Sequence, residues 1–187
     1  MLIVGADPGH GDYDIGMTRD DRKESELSLL LVKRLQAECI NAHTIVLVRQ
    51  DDSYVALADR LKLLTDLGSD VNFTVHLEFN RDRRREFTQE AIGIYYLQDN
   101  QDSYNVARLL SSEIWNGLSA IDPKPRSVWA YPGNSYLMRR VPNTFMIRVP
   151  HLLTAPNLDD EIKKLCLAIK AALTALESRK NGHSRTR

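Results

Sequence analysis

Short apolar runs alternate along the chain with longer segments in which leucine and other apolar residues recur every three or four positions. The runs have the length of buried strands, and the periodic segments place their apolar residues on one face of a helix. The pattern predicts strands over 2–4, 44–48, 71–76, 92–97, 127–131 and 144–149, and helices over 25–37, 57–64, 106–118 and 162–176. Strands that alternate with helices predict an α/β fold, a three-layer sandwich in which helices flank a mostly parallel central sheet.

The length of the chain and its polar end define the expected domain. A chain of 187 residues has the size of one ordinary domain. The apolar period stops near residue 176, and the segment after it is polar and contains Gly182. We therefore expect one domain over residues 1–177 and a polar, disordered tail over residues 178–187. Cys39 and Cys166 fall within predicted helices without metal or redox spacing, so both are expected to be buried thiols.

The charge balance and the lack of targeting segments limit the classes of partner. Lysine plus arginine and aspartate plus glutamate each total 25, so the net charge is zero and no basic surface for nucleic acid is expected. The chain has no run of transmembrane length, and its first residues lack the charged and apolar regions of a signal peptide. The expectation is a monomer made in the cytoplasm, which would need another route to an extracytoplasmic substrate.

Two histidines stand where predicted strands end. His10 follows the first strand and His76 ends the third, and ligand sites of α/β sheets lie beyond the carboxyl ends of strands. A carboxylate opens the helix between them, supplied by Glu24 or Glu26. Glu24 shares the face of the buried leucines that follow it, whereas Glu26 is turned by roughly 200° and should face solvent. Glu24 is therefore the predicted ligand.

These three residues together predict a metal site. Two imidazoles and one carboxylate form a set that binds catalytic zinc and leaves one coordination position open for water. The predicted zinc ligands are His10, Glu24 and His76. A zinc ion in such a site polarises a carbonyl group and activates water, which is the chemistry of amide hydrolysis.

The residues around these ligands resemble a known enzyme family. Residues 7–11 read Asp-Pro-Gly-His-Gly, and with Asp14 and Glu24 they resemble the opening of the zinc-dependent N-acetylmuramoyl-L-alanine amidases with a type 3 catalytic domain. Arg49 and the strand that ends at His76 resemble later segments, and the resemblance extends to about residue 176. It implies a phosphorylase/hydrolase-like fold, zinc as the cofactor and peptidoglycan or a muropeptide as the substrate.

Three positions depart from the family pattern. Asp12 stands where a second glycine usually follows, and we expect it to be a tolerated turn residue. Glu78, two residues after His76, introduces a carboxylate where the family usually has asparagine. Most important, the last core strand carries Ile147 or Arg148 at the place where the family has its glutamate general base or acid.

Two side chains, Glu78 and Arg148, are candidates for catalytic roles at the predicted site. We hypothesise that Glu78 has taken over proton transfer; the alternative is a surface or supporting residue in a weak or inactive enzyme. Arg148 is a candidate for holding a substrate carboxylate or a transition-state oxyanion, with a simple salt bridge as the alternative. His151 is expected in the core or at the surface rather than in the metal pocket.

The predicted function is zinc-dependent hydrolysis of the amide bond between N-acetylmuramic acid and L-alanine in peptidoglycan, an endolysin-like activity in cell wall degradation. Two alternatives stay open. One is a catalytically weak or inactive amidase-fold module that binds peptidoglycan, which the missing glutamate supports. The other is a zinc amidohydrolase that acts on another acyl-amino acid or peptide.

Overall fold

The strands and helices alternate as the apolar pattern predicts, in a computed structural model that describes residues 1–78 and 91–184. In chain order the strands are β1 (Ile3–Pro8), β2 (Thr18–Arg19), β3 (Arg22–Lys23), β4 (Thr44–Leu47), β5 (Val71–His76), β6 (Ile92–Leu97), β7 (Val128–Gly133) and β8 (Thr144–Arg148). The helices are α1 (Glu24–Cys39), α2 (Leu57–Leu67), α3 (Gln101–Ile121), α4 (Tyr136–Arg140) and α5 (Leu158–Ser184), with a 3₁₀ helix at Pro150–Leu153.

The central sheet has six strands in the order β4-β1-β5-β8-β6-β7. The first four strands of this order are parallel, whereas β6 pairs antiparallel with β8, and β7 runs parallel to β6. The predicted α/β sandwich with a mostly parallel sheet is thus confirmed. The carboxyl ends of β4, β1, β5 and β8 meet at one edge of the sheet, and the segments that follow them form the candidate site.

Helices cover both faces of the sheet. On one face α1, α3 and α5 pack together over the main core, and on the other α2 and α4 enclose a smaller cluster of Leu64, Leu137 and Val141. The main core holds residues such as Leu31, Phe73, Leu110 and Ile147, each at most 1% exposed. Burying one such side chain contributes roughly 1.5–3 kcal/mol, so the sheet is held firmly beneath the site. Within the described ranges, no helix combines the length and apolar character needed to cross a membrane.

Three short elements have no counterpart in the prediction: the β2–β3 hairpin, α4 and the 3₁₀ helix. Strands of two residues and a helix of five are too short to establish a hydrophobic period. Helix α4 instead depends on a local cap, in which the Ser135 side chain accepts a hydrogen bond from the Met138 amide. Both cysteines are buried and free, as predicted.

The C-terminal helix extends past the predicted domain boundary. The disordered tail expected from residue 178 is wrong as far as Ser184, because α5 continues to that residue; residues 185–187 lie outside the described part of the chain. Its arginine and lysine residues are good helix formers without an apolar period. Contacts with the body also hold it: Lys180 Nζ lies 3.0 Å from Asp70 Oδ1, and the Met1 amino group bonds Glu177.

His151 is a buried imidazole that should make the protein acid-sensitive. It is 2% exposed; burial, with Arg126 nearby, lowers the pKa of His151 to about 3. Glu161 Oε2 is 3.7 Å from its Nε2, too far for a hydrogen bond that would offset burial. An unfolded histidine takes up its proton near pH 6.5, so the unfolded state binds more protons between pH 6.5 and about 3. Stability should therefore fall as the pH drops through this window.

We expect His151→Leu to remove this dependence. Between pH 7 and pH 5, the free energy of unfolding should fall by about 2 kcal/mol more in the wild type than in the variant. Urea unfolding of both proteins at a series of pH values measures the difference. Equal slopes in the two proteins would show that the His151 imidazole does not control acid sensitivity.

Candidate metal centre

The loop after β1 carries His10 in a restricted backbone conformation. His10 and Asp12 have positive φ angles of 63° and 52°, and Gly11 between them has a φ of 137°. A Cβ atom at Gly11 would lie 2.2 Å from the carbonyl oxygen of Ser53, so glycine is required there. Aspartate adopts the left-handed region more readily than most residues, which explains how Asp12 replaces the glycine of the family pattern.

Two buried arginines hold this loop through its carbonyl oxygens. Arg60 in α2 donates to Pro8 O at 2.8 Å and to His10 O at 2.6 Å, and it forms an ion pair with Asp7. Arg49, just after β4, donates to Pro8 O at 3.2 Å and to Gly9 O at 3.0 Å. Hydrogen bonds from charged donors are roughly twice as strong as neutral ones, so the backbone that carries His10 is rigidly supported.

Glu24 is the first residue of α1 and is fully buried. Its Oε2 accepts a hydrogen bond from the Met17 amide at 3.0 Å, and its Oε1 accepts one from the Leu77 amide at 2.7 Å. Burial raises the pKa of Glu24, but the adjacent His10 and His76 imidazoles and the hydrogen bonds from these two amides outweigh it and hold the pKa well below its usual value. Glu24 is therefore an ionised carboxylate with a fixed orientation.

The structure brings His10, Glu24 and His76 together. His10 Nε2 lies 3.3 Å from Glu24 Oε1, and His76 Nδ1 lies 3.5 Å from the same oxygen. The two imidazole rings are nearly perpendicular, with centroids 5.6 Å apart. One ligand atom from each residue lies within 4.8 Å of the others. The three residues predicted from the sequence thus offer two nitrogens and one oxygen to a common point.

The environment of His10 tests whether this group fits a metal ion. Its Nδ1 lies 2.8 Å from Asp14 Oδ1, whereas its Nε2 is buried and has no well-aligned hydrogen-bond partner. The Glu24 carboxylate raises the pKa of His10 to about 9, against the opposing effect of burial and with a further contribution from Asp14. A buried nitrogen that faces a carboxylate and a second imidazole has the chemistry of a zinc site. The residues present therefore fit the metal.

A cleft of about 190 Å³ opens beside these residues. Both histidines line it, and its other walls include Asp14, Tyr54, Leu57, Arg60 and Leu137. The cleft therefore joins the candidate ligands to apolar and aromatic side chains from the loop before α2 and from α4.

Glu78 and Arg148 form an ion pair beside the candidate metal ligands. Arg148 Nη2 lies 3.3 Å from Glu78 Oε2, and Arg148 is the register partner of His76 across β5 and β8. Ile147 is fully buried and points to the opposite face, so Arg148 occupies the face next to His76. The place where the family pattern has a glutamate thus holds the cationic Arg148, and its partner is Glu78.

Arg148 is also fixed by an aromatic ring. Its guanidinium carbon lies 4.7 Å from the centroid of the Tyr95 ring, and its Nε lies 3.3 Å from Met146 Sδ. Gly93 makes room for this ring, because a Cβ atom at Gly93 would meet Tyr95 Cε2 at 2.7 Å. Cation–π contact and the ion pair together hold the guanidinium in one orientation.

Sequence reasoning missed the role of Asp14 and of two exposed tyrosines, Tyr13 and Tyr54. Asp14 stands four residues after His10, and this spacing alone could have indicated a hydrogen bond between the imidazole and the carboxylate. Tyr13 and Tyr54 are far apart along the chain, and no pattern within either segment indicates that their rings meet.

Comparison with protein families identifies one match that covers most of the chain. The family model described as N-acetylmuramoyl-L-alanine amidase matches residues 4–146. A sporulation-specific N-acetylmuramoyl-L-alanine amidase of Bacillus subtilis (strain 168) is 31% identical over 80 residues. That match covers 41% of this chain and 31% of the relative, so the chain aligns with about a third of that protein's length.

Solved structures share the fold over nearly the whole chain. The catalytic domain of CwlV, an N-acetylmuramoyl-L-alanine amidase from Bacillus (Paenibacillus) polymyxa var. colistinus, is 17% identical with a TM-score of 0.75, covering 95% of this chain and 99% of that one. The CwlD amidase from Clostridioides difficile, solved in complex with the GerS lipoprotein, is 18% identical with a TM-score of 0.76 and the same coverage. At these identities the likeness establishes the fold.

Proposed function

Since the chain belongs to the N-acetylmuramoyl-L-alanine amidase family, we propose that it hydrolyses the amide bond between N-acetylmuramic acid and L-alanine in peptidoglycan, with zinc held by His10, Glu24 and His76. The observation that carries the proposal is the convergence of these three ligand atoms within 4.8 Å beside the cleft. A zinc ion held there would polarise the scissile carbonyl and make water a stronger nucleophile.

The surrounding residues prepare these three side chains to bind a cation. Two backbone amides orient the Glu24 carboxylate and keep it ionised. Asp14 lies at hydrogen-bond distance from His10 Nδ1, so the neutral imidazole that binds a cation keeps its proton on that nitrogen and offers the lone pair of Nε2. The ligand set is therefore oriented before any ion arrives.

Proton transfer requires a further group, and Glu78 is our candidate. Glu78 pairs with Arg148, the register partner of His76, so its carboxylate lies on the His76 side of the sheet. Its side chain is 44% exposed and Arg148 holds the carboxylate in place, which leaves it open to water. Glu78 would take a proton from the attacking water and pass it to the leaving amine of L-alanine.

The Glu78–Arg148 ion pair also favours a second function. The Arg148 guanidinium forms an ion pair with Glu78, the carboxylate that we assign to proton transfer, and β8 ends in arginine rather than glutamate. A protein that binds peptidoglycan through the same cleft but hydrolyses it slowly or not at all would have these features. Product release separates the two functions, whereas zinc content does not.

Release of new L-alanine amino termini from purified peptidoglycan is the decisive experiment. The zinc-loaded protein should release them, and Glu78→Gln should slow the release by about 10²-fold or more. Glu26→Gln serves as the control, because Glu26 is a solvent-exposed residue of α1 that pairs with Lys23. Stoichiometric zinc without any release would establish the binding function, and an unchanged rate in Glu78→Gln would exclude Glu78 as the proton carrier.

Asp14 should determine how tightly the metal is held. Replacing Asp14 with alanine removes the group that orients the His10 imidazole, and the zinc affinity should fall by about 10- to 100-fold. Asp14→Asn retains an acceptor oxygen and should give an intermediate value. Competition with a chromogenic chelator measures the affinity without any activity assay.

Asp12→Asn provides the matched control, because Asp12 belongs to the same loop and asparagine also tolerates its positive φ angle. Its zinc affinity should equal that of the wild type. If Asp14→Ala binds zinc as tightly as Asp12→Asn, the Asp14 contact does not orient the ligand.

A further inference from the structure

Two tyrosines form an exposed aromatic pair at the mouth of the cleft. The rings of Tyr13 and Tyr54 lie 4.7 Å apart between centroids and are tilted by 30°. Tyr13 is 73% exposed and Tyr54 is 43% exposed, so much of each ring faces solvent. Rings of this size normally bury most of their apolar surface, and exposed aromatic pairs next to a cleft are typical of ligand contacts.

The loops that carry the two rings are locked together by their backbones. The Asp12 amide donates to Asp52 O at 2.6 Å, and Gly11 packs so closely on Ser53 that a Cβ atom would not fit. Buried Arg49 adds a second tie, because it donates to Asp51 O at 2.8 Å in its own loop and to Gly9 O at 3.0 Å in the loop after β1. The pair is thus a preformed surface, and a ligand that stacks on it would lose little binding energy to ordering the loops.

The pair is continuous with the candidate metal centre. Tyr54 lines the cleft together with His10 and His76, and Tyr13 lies three residues after His10. In the sheet order, the loops with both tyrosines follow β1 and β4, on one side of His76, whereas Arg148 ends β8 on the other side. A substrate whose amide lies at the ligands would therefore extend over the tyrosines in one direction and toward Arg148 in the other.

The charges around the pair favour a neutral ligand. Asp12, Asp14, Asp51 and Asp52 lie in the two loops, and Arg49, which pairs with Asp52, is itself buried. The adjacent Tyr54 phenol, together with the nearby Asp14 and Asp12 carboxylates, raises the pKa of the Tyr13 phenol, so the ring remains neutral. These carboxylates repel a peptide that carries free carboxylates, but they do not oppose a neutral sugar and can accept hydrogen bonds from its hydroxyl groups.

We propose that Tyr13 and Tyr54 form a saccharide-binding subsite, on which a sugar ring of the glycan strand stacks its C–H face. This proposal rests on the proposed amidase function, because it assigns the glycan side of that substrate to the β1–β4 side of the cleft. The stem peptide then extends toward β8 and Arg148. The subsite would select substrates that carry an intact glycan over free peptides.

Titration with a neutral glycan that contains no peptide tests the subsite directly. We would titrate the protein with chitotetraose, the tetramer of N-acetylglucosamine, and follow the affinity by NMR chemical-shift changes. Tyr13→Ala and Tyr54→Ala should each weaken binding by about three- to tenfold, the range expected for loss of one aromatic contact. Tyr13→Phe, which keeps the ring, should bind nearly as well as the wild type.

Trp129→Ala is the matched control, because Trp129 is also an exposed aromatic residue, 58% exposed, but lies on β7 at the opposite edge of the sheet. Its affinity should be unchanged. The subsite is overturned if the wild type does not bind the glycan, if both tyrosine variants bind as well as the wild type, or if Trp129→Ala weakens binding equally. Chitotetraose has no scissile amide, so its binding is independent of catalysis, and hydrolysis without glycan affinity would leave the proposed function standing.

Discussion

Replacing Glu24 with alanine is expected to abolish tight zinc binding and, with it, release of L-alanine amino termini. Glu24 supplies the oxygen that both histidine nitrogens approach, at 3.3 and 3.5 Å. Loss of a supporting residue around a metal typically lowers its affinity by about 10- to 100-fold, so loss of a direct ligand should exceed about 100-fold. The change also leaves the Met17 and Leu77 amides without their acceptor, which costs roughly 1–3 kcal/mol for each buried donor.

Zinc titration and product release should be measured on the same Glu24→Ala preparation. Glu26→Ala, two residues further along α1 and solvent-exposed, should behave as the wild type in both assays. Circular dichroism establishes that both variants fold. Stoichiometric, tight zinc in a folded Glu24→Ala protein would show that Glu24 is not a ligand.

Replacing Arg60 with alanine should cause a large loss of stability. Arg60 is 6% exposed and pairs with Asp7, which is 2% exposed. Burial raises the pKa of Asp7, while Arg60 opposes this effect. Without the guanidinium, Asp7 must stay charged in a buried place or take up a proton, and the carbonyl oxygens of Pro8, His10 and Val55 lose a donor. Breaking a buried pair in this way typically costs about 3–5 kcal/mol.

Urea unfolding measures this loss as a decrease in the free energy of unfolding. Lys62→Ala is the control, because Lys62 lies in the same helix, is 73% exposed and pairs with Asp66 at the surface. That change should alter stability by less than about 1 kcal/mol. A loss for Arg60→Ala as small as that for Lys62→Ala would mean that the loop does not depend on the buried pair. Because the loop carries His10, Arg60→Ala should also weaken zinc binding.

The fold was predictable where long segments repeat one pattern. Helix α1 follows a stripe of leucines, β5 alternates apolar with polar residues, and β8 is a short apolar run, so the expected elements agree closely with the observed ones. The prediction failed for elements that depend on a few contacts. Helix α4 depends on the Ser135 cap, and the end of α5 is held by Lys180 and Asp70.

The candidate ligands were predictable because the backbone places them. His10, Glu24 and His76 stand at the end of a strand or the start of a helix, and parallel strands bring such positions to one edge. Membership of the amidase family confirms the resemblance that the residues around His10 and Glu24 indicate. The ligand set itself stays a prediction that metal titration will test.

The sequence by itself determined the α/β class, the mostly parallel sheet and the residues that its carboxyl edge gathers, because hydrophobic periodicity and strand direction act over many residues at once. Only the tertiary structure decided how individual side chains pair. Arg148 meets Glu78 and Tyr95, and Tyr13 meets Tyr54, through loop paths and side-chain rotamers that no local pattern encodes. These pairings decide which groups are left to act on a substrate, and they depend on the distances between segments remote in the chain.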